Sequence, residues 1–364
     1  MKKFTVMFLA LLLCVYLCGC GGPQEVSSMD CTVTILGHTF NGQYTGTIEN
    51  KVPNGQGSFY FSDSKYNISY TGQWENGLPS GEGKLESLGM VTEIGNSAPR
   101  SDMPPYYATD AHKTPYLDYT GEWTEGNISG QGTIRTNLYT IKFYDDVIRT
   151  GEYMGETLNG LADGNGIYAA KNDSGIQYTY SGEWKSGLFN GYGEQKYDAD
   201  NYYTRIGTFT NGKFTPTPLD FFITKGTIPN ETYTISEKAK SFLLNHPDIF
   251  LNNEIGDETI EYEEKFKYTT YAKSPENYGS KLLTLSNLKV VQIFEDQNWD
   301  KDTTFIIATD GSGNVYSINM YGKLDGIYEN SRIKITVLPL DYFTYPNVSG
   351  TSIWAIACAG VKLD

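Results

Sequence analysis

One spacing of aromatic and glycine residues, recurring along the first half of the chain, restricts what it can fold into more than any other feature. Counting an aromatic as offset 0, Tyr70, Gly72, Trp74, Gly77, Gly81 and Gly83 stand at offsets 0, 2, 4, 7, 11 and 13. The same six positions recur in Tyr119, Gly121, Trp123, Gly126, Gly130, Gly132 and in Tyr180, Gly182, Trp184, Gly187, Gly191, Gly193. A fourth copy, Tyr153, Gly155, Gly160, Gly164 and Gly166, has Thr157 at the tryptophan position. A fifth, Tyr44, Gly46, Gly55 and Gly57, has Ile48 there and Lys51 for the turn glycine. Arg205, Gly207, Phe209 and Gly212 open a sixth that decays into Pro216 and Pro218.

Offsets 0, 2 and 4 share one face of a strand, so Tyr, Gly and Trp line the same side and the bare glycine lets rings approach backbone. Asn76-Gly77, Asn159-Gly160 and Asn211-Gly212 are dipeptides that accept positive φ in tight hairpin turns, and the glycines at offsets 11 and 13 return on the second strand. One hairpin cannot bury its face alone. Successive hairpins must therefore pair edge to edge into a single-layer, twisted antiparallel sheet, which proline in the decaying copy would stop.

These residues resemble MORN repeats over about residues 40 to 218. The resemblance implies a scaffold for partner contact, often joined to another domain, and nothing catalytic; lipid binding is also attributed to the family. The offset-0 tyrosines are separated by 26, 49, 34 and 27 residues, so an insertion lies at about 88–118. It is punctuated by proline and rich in polar and aromatic residues, which suits an ordered surface loop. Tyr106, Tyr107 and Tyr116 are its candidate ligand contacts, because tyrosine offers large area at low rotamer cost. The other reading is that these rings pack on the sheet. The Trp74, Trp123 and Trp184 row is expected to be core rather than a platform for sugar or peptide.

The N-terminus reads as an address. Lys2 and Lys3 precede an apolar run from Phe4 to Val15, which is too short to span a membrane comfortably and has the order of a secretory signal. Leu17-Cys18-Gly19-Cys20 resembles the lipobox of bacterial lipoproteins, which implies lipidation of Cys20 and a membrane anchor on the extracytoplasmic face of a bacterial cell membrane. An ordinary cleaved signal or a short uncleaved anchor is the alternative. Cys31 and Cys358 then remain in an oxidising compartment, and a bridge between them would have to close almost the whole chain; two separately buried thiols are expected.

After Pro218 the pattern changes. Helix is expected over Thr234 to Asn252, capped by Ser236 and interrupted at His246-Pro247, and again over Glu258 to Tyr271. Strands follow at Lys281 to Phe294, Thr303 to Thr309, Asn314 to Met320, Arg332 to Leu338 and Ile353 to Leu363. Five strands with a long first one resemble an OB-fold barrel, as in OB-like domains of bacterial surface lipoproteins. The fold class is thus mainly β. The expected organisation is a signal peptide at 1–19, a lipidated tether and lead-in at 20–39, and the repeat sheet at 40–218. A helical linker follows at 219–280, then an OB-like barrel at 281–364.

Charge narrows the function. The chain holds 43 Asp and Glu against 28 Lys and Arg, a net of −15, which argues against nucleic acid and against adsorption to an anionic membrane. The C-terminal part, residues 219 to 364, has 20 acidic and 13 basic side chains, so no nucleic-acid partner is expected for the barrel despite Tyr316, Tyr321 and Tyr328. Asp296, Asn298, Asp300 and Asp302, and likewise Asp310, Ser312 and Asn314, alternate as in a calcium loop. Both sets lack glycine at position six and glutamate at twelve, and read as hairpin tips. No metal site, cofactor or catalytic residue is assigned. The expected function is a membrane-anchored binding or scaffold module for an envelope protein or glycan. The alternatives are a carbohydrate-active hydrolase with a carboxylate pair drawn from the 43 acids, and a lipid-headgroup binder.

Overall fold

A computed structural model of the chain describes residues 22–92, 94–97, 114–143, 146–199, 202–228, 232–256, 259–296, 301–346 and 350–363. Cys20, Tyr106, Tyr107, Asn298 and Asp300 lie outside the described residues. Strand occupies 61% of the structure and helix 10%, as the repeat pattern requires.

The repeats form one 14-stranded sheet in which hairpins follow one another in chain order. Its strands are β1 (Gln24–Ile35), β2 (His38–Glu49), β3 (Val52–Ser62), β4 (Asn67–Glu75), β5 (Leu78–Leu88), β6 (Ile94–Gly95) and β7 (Tyr116–Thr124). They continue with β8 (Asn127–Lys142), β9 (Ile148–Leu158), β10 (Leu161–Lys171), β11 (Gln177–Lys185), β12 (Leu188–Tyr197), β13 (Arg205–Thr210) and β14 (Lys213–Phe214). The sheet begins earlier than the spacing indicates, because β1 pairs along β2 from Gln24 onward. β5 pairs directly with β7 across the insertion, whose short β6 runs parallel to β8. Met90 and Ile94, at the root of the insertion, are buried in the sheet's core.

Both central residues of the repeat turns have positive φ, as a type I′ hairpin demands: Asn76 and Gly77 at 51° and 85°, Asn159 and Gly160 at 52° and 77°. Glu125 and Ser186 take the first position without an Asn, at 49° and 51°. The turns also bind one another. Gly77, Gly126, Gly187 and Gly212 donate their N–H groups to the carbonyls of Pro53, Pro79, Ala162 and Phe189 in the preceding hairpins, at 2.8–2.9 Å.

A single-layer sheet buries a face only by curling round it. Leu36, in the first turn, donates to the Gly126 carbonyl in a turn several strands away, and Tyr139 on β8 packs against Trp184 on β11 at 6.2 Å. The inner face thereby becomes the core, and Tyr70, Tyr139, Tyr168 and Tyr180 have no exposed surface.

The far edge of the sheet is closed by a helix. In α1 (Pro218–Lys225) the Thr217 hydroxyl accepts the Asp220 N–H and the Asp220 carboxylate accepts the Thr217 N–H, a reciprocal cap. Along β13, Asp220 accepts from the Thr208 N–H, and Thr224 accepts from the Ile206 N–H and donates to the Ile206 carbonyl. Thr227 does the same at Thr204. Side chains at 220, 224 and 227 thus satisfy alternate residues of an edge strand, which would otherwise offer its backbone to another chain.

The remaining helices are α2 (Glu237–Asn245), α3 (Pro247–Asn252) and α4 (Tyr268–Tyr271), with a 3₁₀ turn at Pro275–Asn277. The Ser236 hydroxyl accepts the Ala239 N–H as expected, and Pro247 starts α3 where the longer helix was to break. The second expected helix does not form over its full length: only Tyr268–Tyr271 is helical, and Tyr262 instead bridges to Leu282. Glu261 and Glu264 would repel one helical turn apart, and the extended path lets Ile260 and Phe266 reach apolar clusters.

Five strands, β15 (Leu283–Asp296), β16 (Thr303–Thr309), β17 (Val315–Tyr321), β18 (Arg332–Pro346) and β19 (Ser352–Leu363), close a barrel in the order β15-β16-β17-β19-β18. β17 and β19 run parallel and the other pairs antiparallel, the OB-like arrangement that the strand pattern suggested. Ile356 and Cys358 of β19 fill the barrel, whereas Ala355, Ala357 and Ala359 belong to the cluster that holds Phe221, Phe222 and Phe250 of the helices. The helical segment is therefore packed on the barrel wall. Phe221 also meets Tyr321 at 4.6 Å, and the buried Lys225 pairs with Asp296 at 3.5 Å.

Candidate functional site

Each repeat residue has a structural partner of its own. The offset-0 hydroxyls of Tyr44, Tyr70, Tyr119, Tyr153 and Tyr180 donate to the carbonyl three residues on, at 2.7–3.0 Å. Gly72, Gly121 and Gly182 sit opposite Gly83, Gly132 and Gly193 in register. A Cβ on Gly83, Gly132 or Gly193 would lie 2.1–2.5 Å from the nearest atom of the Tyr70, Tyr119 or Tyr180 side chain. The tryptophans link repeats: the indole N–H groups of Trp74, Trp123 and Trp184 donate to the carbonyls of Gly57, Gly83 and Gly166 in the preceding hairpins. All three indoles are buried, so this row is core and not a ligand platform. Burial lifts the phenols: Tyr44 and Tyr119 are pushed up to about 12.

The glycines at offset 11 do different work from those at offset 13. Gly81, Gly130, Gly164 and Gly191 all have positive φ, and a Cβ there would strike the side chains of Gln73, Glu122, Glu156 and Glu183 rather than an aromatic ring. Register shifts next to Trp74, Trp123 and Trp184 mark a bulge at this point. The bulge leaves the next N–H to be taken by the offset-3 side chain: Glu82 by Gln73, Gln131 by Glu122, Asn165 by Glu156 and Tyr192 by Glu183. The spacing analysis missed this role, although Gln or Glu recurs at offset 3 in four copies.

Of the insertion tyrosines, Tyr116 opens β7, half-buried, with its N–H on Asn137 Oδ1 at 3.0 Å and the Arg135 guanidinium 5.1 Å from its ring centre. Next to it, Glu86 and Asp118 face each other across β5 and β7. Lys84 bonds Glu86, and Arg135 lies 3.8 Å from Asp118. Burial holds the Asp118 carboxyl above the usual carboxylate range, against the pull of Arg135 and with help from Glu86. These side chains stand on the open outer face, so the pair is an ion ladder without the enclosed cleft that glycoside hydrolysis needs.

In the barrel, Tyr316 and Tyr321 are buried at 3% and 4%, and of these three tyrosines only Tyr328 is exposed, so they do not share a surface on which bases could stack. The Asp310 carboxylate accepts from the Ser312 and Asn314 N–H groups and from the Asn314 amide, which makes it a hairpin tip. Cys31 and Cys358 are both free thiols, the first half-buried and the second buried. Among the described residues, no three His, Cys, Asp or Glu side chains group as a metal site would need.

The sequence matches the MORN repeat family at residues 44–66, 70–87, 119–136, 153–174 and 180–199. These five segments are MORN repeats. Each match opens on an offset-0 tyrosine, from Tyr44 to Tyr180, and the decaying copy at Arg205 is not among them. No curated protein matches the chain. MORN repeats are in general non-catalytic binding modules, and here the MORN glycines and aromatics are occupied by their own packing. What is left for a partner is the outer face, the insertion and the places where the MORN pattern departs from itself.

Proposed function

We propose that this chain is a lipid-anchored binding or scaffold module on the extracytoplasmic face of a bacterial membrane, with an envelope protein or glycan as its partner. The observation that carries the reading is the continuous sheet of MORN hairpins, closed at its far edge by α1 and joined through it to the OB-like barrel. β1 starts four residues after Cys20, so a lipid there would hold the first strand close to the bilayer and leave the barrel outward. The net charge of −15 favours a lipid anchor over electrostatic adsorption as the means of attachment.

Cys20→Ser tests the anchor. Loss of metabolic palmitate labelling and release from the membrane fraction are expected, and unchanged labelling would refute it. The partner is tested with the chain from Gly22, which keeps β1 whole, immobilised against a detergent-solubilised envelope fraction. Saturable capture of a protein or glycan supports the reading, and capture only of lipid would replace it with headgroup binding.

A further inference from the structure

The two edges of the MORN sheet are finished differently. At the far edge, β13 has its backbone groups at Thr204, Ile206 and Thr208 taken by side chains of α1 and by Thr227. The near edge is β1, which stands before the first MORN repeat and has no strand on its other side among the described residues. Its 12 residues include no proline, lysine or arginine, the residues that commonly blunt an edge.

The turn after β1 fixes which backbone groups this edge offers. Leu36 and Gly37 have φ of 49° and 76°, a type I′ pair, so Ile35 and His38 close the ladder as a hydrogen-bonded pair. Bonded and open pairs then alternate. Val33 and Cys31 bond to β2, while Thr34, Thr32 and Asp30 turn their N–H and C=O groups outward. The turn between β7 and β8 closes the Thr34 end, where Gly126 accepts the Leu36 N–H and lies against the Thr34 carbonyl. At the other end the ladder is interrupted between Val26 and Met29, with Ser28 at a φ of 53°. Between these limits Asp30 and Thr32 present their backbone groups at the edge, and among the described residues only the Cys31 thiol approaches them, 3.8 Å from the Thr32 carbonyl. Their side chains leave the edge clear, because Asp30 accepts from the Gln43 amide and Thr32 donates to Asn41 Oδ1 at 2.6 Å, both on β2.

Such an edge is a template for one more strand, and β1 itself complements it in a single antiparallel register. A two-fold axis at Asp30 would set two carboxylates opposite each other, and one at Thr32 would bring a residue against Thr34, where the β7–β8 turn stands. An axis at Cys31 avoids both. It sets Thr32 opposite Asp30 of the second copy as a hydrogen-bonded pair, Met29 opposite Val33 on the inner face, and the interrupted ladder at Ser28 opposite Thr34. We propose that two copies of this chain pair antiparallel through β1 about Cys31, which joins their MORN sheets into one. The pairing goes beyond the scaffold reading and does not depend on the lipid anchor.

Cys31 reads out the register. It would face its copy in a non-hydrogen-bonded pair, with Cα atoms about 4.5 Å apart and within disulfide range, whereas Cys358 is buried. The chain from Gly22 is treated with diamide, which takes two electrons and two protons from two thiols as the S–S bond forms. A reducible dimer is expected, kept in Cys358→Ser and lost in Cys31→Ser. Accessible thiols also meet by collision, so the residue opposite Asp30 decides. Thr32 is exposed, and Thr32→Lys should crosslink about tenfold faster than Thr32→Asp, each rate divided by the rate at which a maleimide labels the same thiol, with the gap narrowing as salt is raised. Thr32→Pro removes an outward N–H but no backbone bond to β2, so it should slow crosslinking while the melting temperature is kept. Absence of the dimer, equal normalised rates for Thr32→Lys and Thr32→Asp, or undiminished crosslinking in Thr32→Pro would overturn the proposal.

Discussion

Gly83→Ala tests how the MORN glycines work. Gly83 has no positive φ, so the substitution costs nothing in backbone strain and acts only through its new methyl group. That methyl would lie 2.1 Å from the Tyr70 hydroxyl, 2.5 Å from Cζ and 2.7 Å from Cε2, against an ordinary contact of 3.4–4 Å. Tyr70 has no exposed surface into which to retreat. Moving its ring strains the bond from its hydroxyl to the Gln73 carbonyl and the edge contacts to Trp74 at 4.9 Å and Trp123 at 5.2 Å. Overpacking costs about 1–3 kcal/mol, the hydrogen bond about 1 and the ring contacts about 1, offset by about 0.5 from the stiffer unfolded chain. A loss of about 3 kcal/mol follows. Gly77→Ala is the comparison: its φ is +85° and its nearest neighbour, Val52 Cβ, is 3.7 Å away, so it carries backbone strain alone, about 1 kcal/mol. Urea unfolding followed by tryptophan fluorescence reads both. Tyr70→Phe combined with Gly83→Ala should cost less than the sum of the two single changes, because the closest atom is gone. If Gly83→Ala costs no more than Gly77→Ala, or if the double variant is strictly additive, the ring-over-glycine argument is wrong.

Thr224→Val keeps the side chain's shape but removes both bonds to Ile206, leaving a half-buried N–H and a half-buried carbonyl without partners. It should cost about 3 kcal/mol in thermal unfolding and raise light scattering as the edge of β13 opens, whereas Thr210→Val on the exposed surface should stay within about 0.5 kcal/mol. In alkali, unfolded tyrosines ionise near pH 10 while folded Tyr44 and Tyr119 hold their protons to about 12, so the unfolded chain binds fewer protons and stability falls as pH rises through this window. Absorbance at the phenolate band should lag behind that of free tyrosine until unfolding; titration in step with free tyrosine would contradict the burial. In the chain from Gly22, a maleimide should label Cys31 natively and Cys358 only after denaturation, since burial raises the Cys358 thiol well above its ordinary value. Native labelling of both thiols, or of neither, would contradict the difference in burial between the half-buried Cys31 and the buried Cys358.

The sheet was legible because its determinants are local and repeated. The Tyr-x-Gly-x-Trp face and the Asn-Gly turns fix strand parity and turn type within about fifteen residues, and repetition leaves only edge-to-edge pairing to bury the rings. The five barrel strands were legible for a similar reason, as alternating runs between turn residues. Tertiary structure decided what depends on residues distant in sequence. Curling of the sheet turned the Trp74, Trp123 and Trp184 row into core, and β19 became buried on both sides because α1 to α3 fold back on the barrel. Spacing marks Glu122 and Gly130 separately, but the bulge that binds the Gln131 N–H to Glu122 exists only once the hairpin closes. Asp220, Thr224 and Thr227 read as ordinary helix residues until β13 lies beside them with unpaired backbone groups. Arg149, Gln195 and Arg205 likewise look like scattered lapses in an apolar pattern, and only the successive pairing of β9 through β13 brings them to one cavity, because a sheet joins residues by register and not by sequence order.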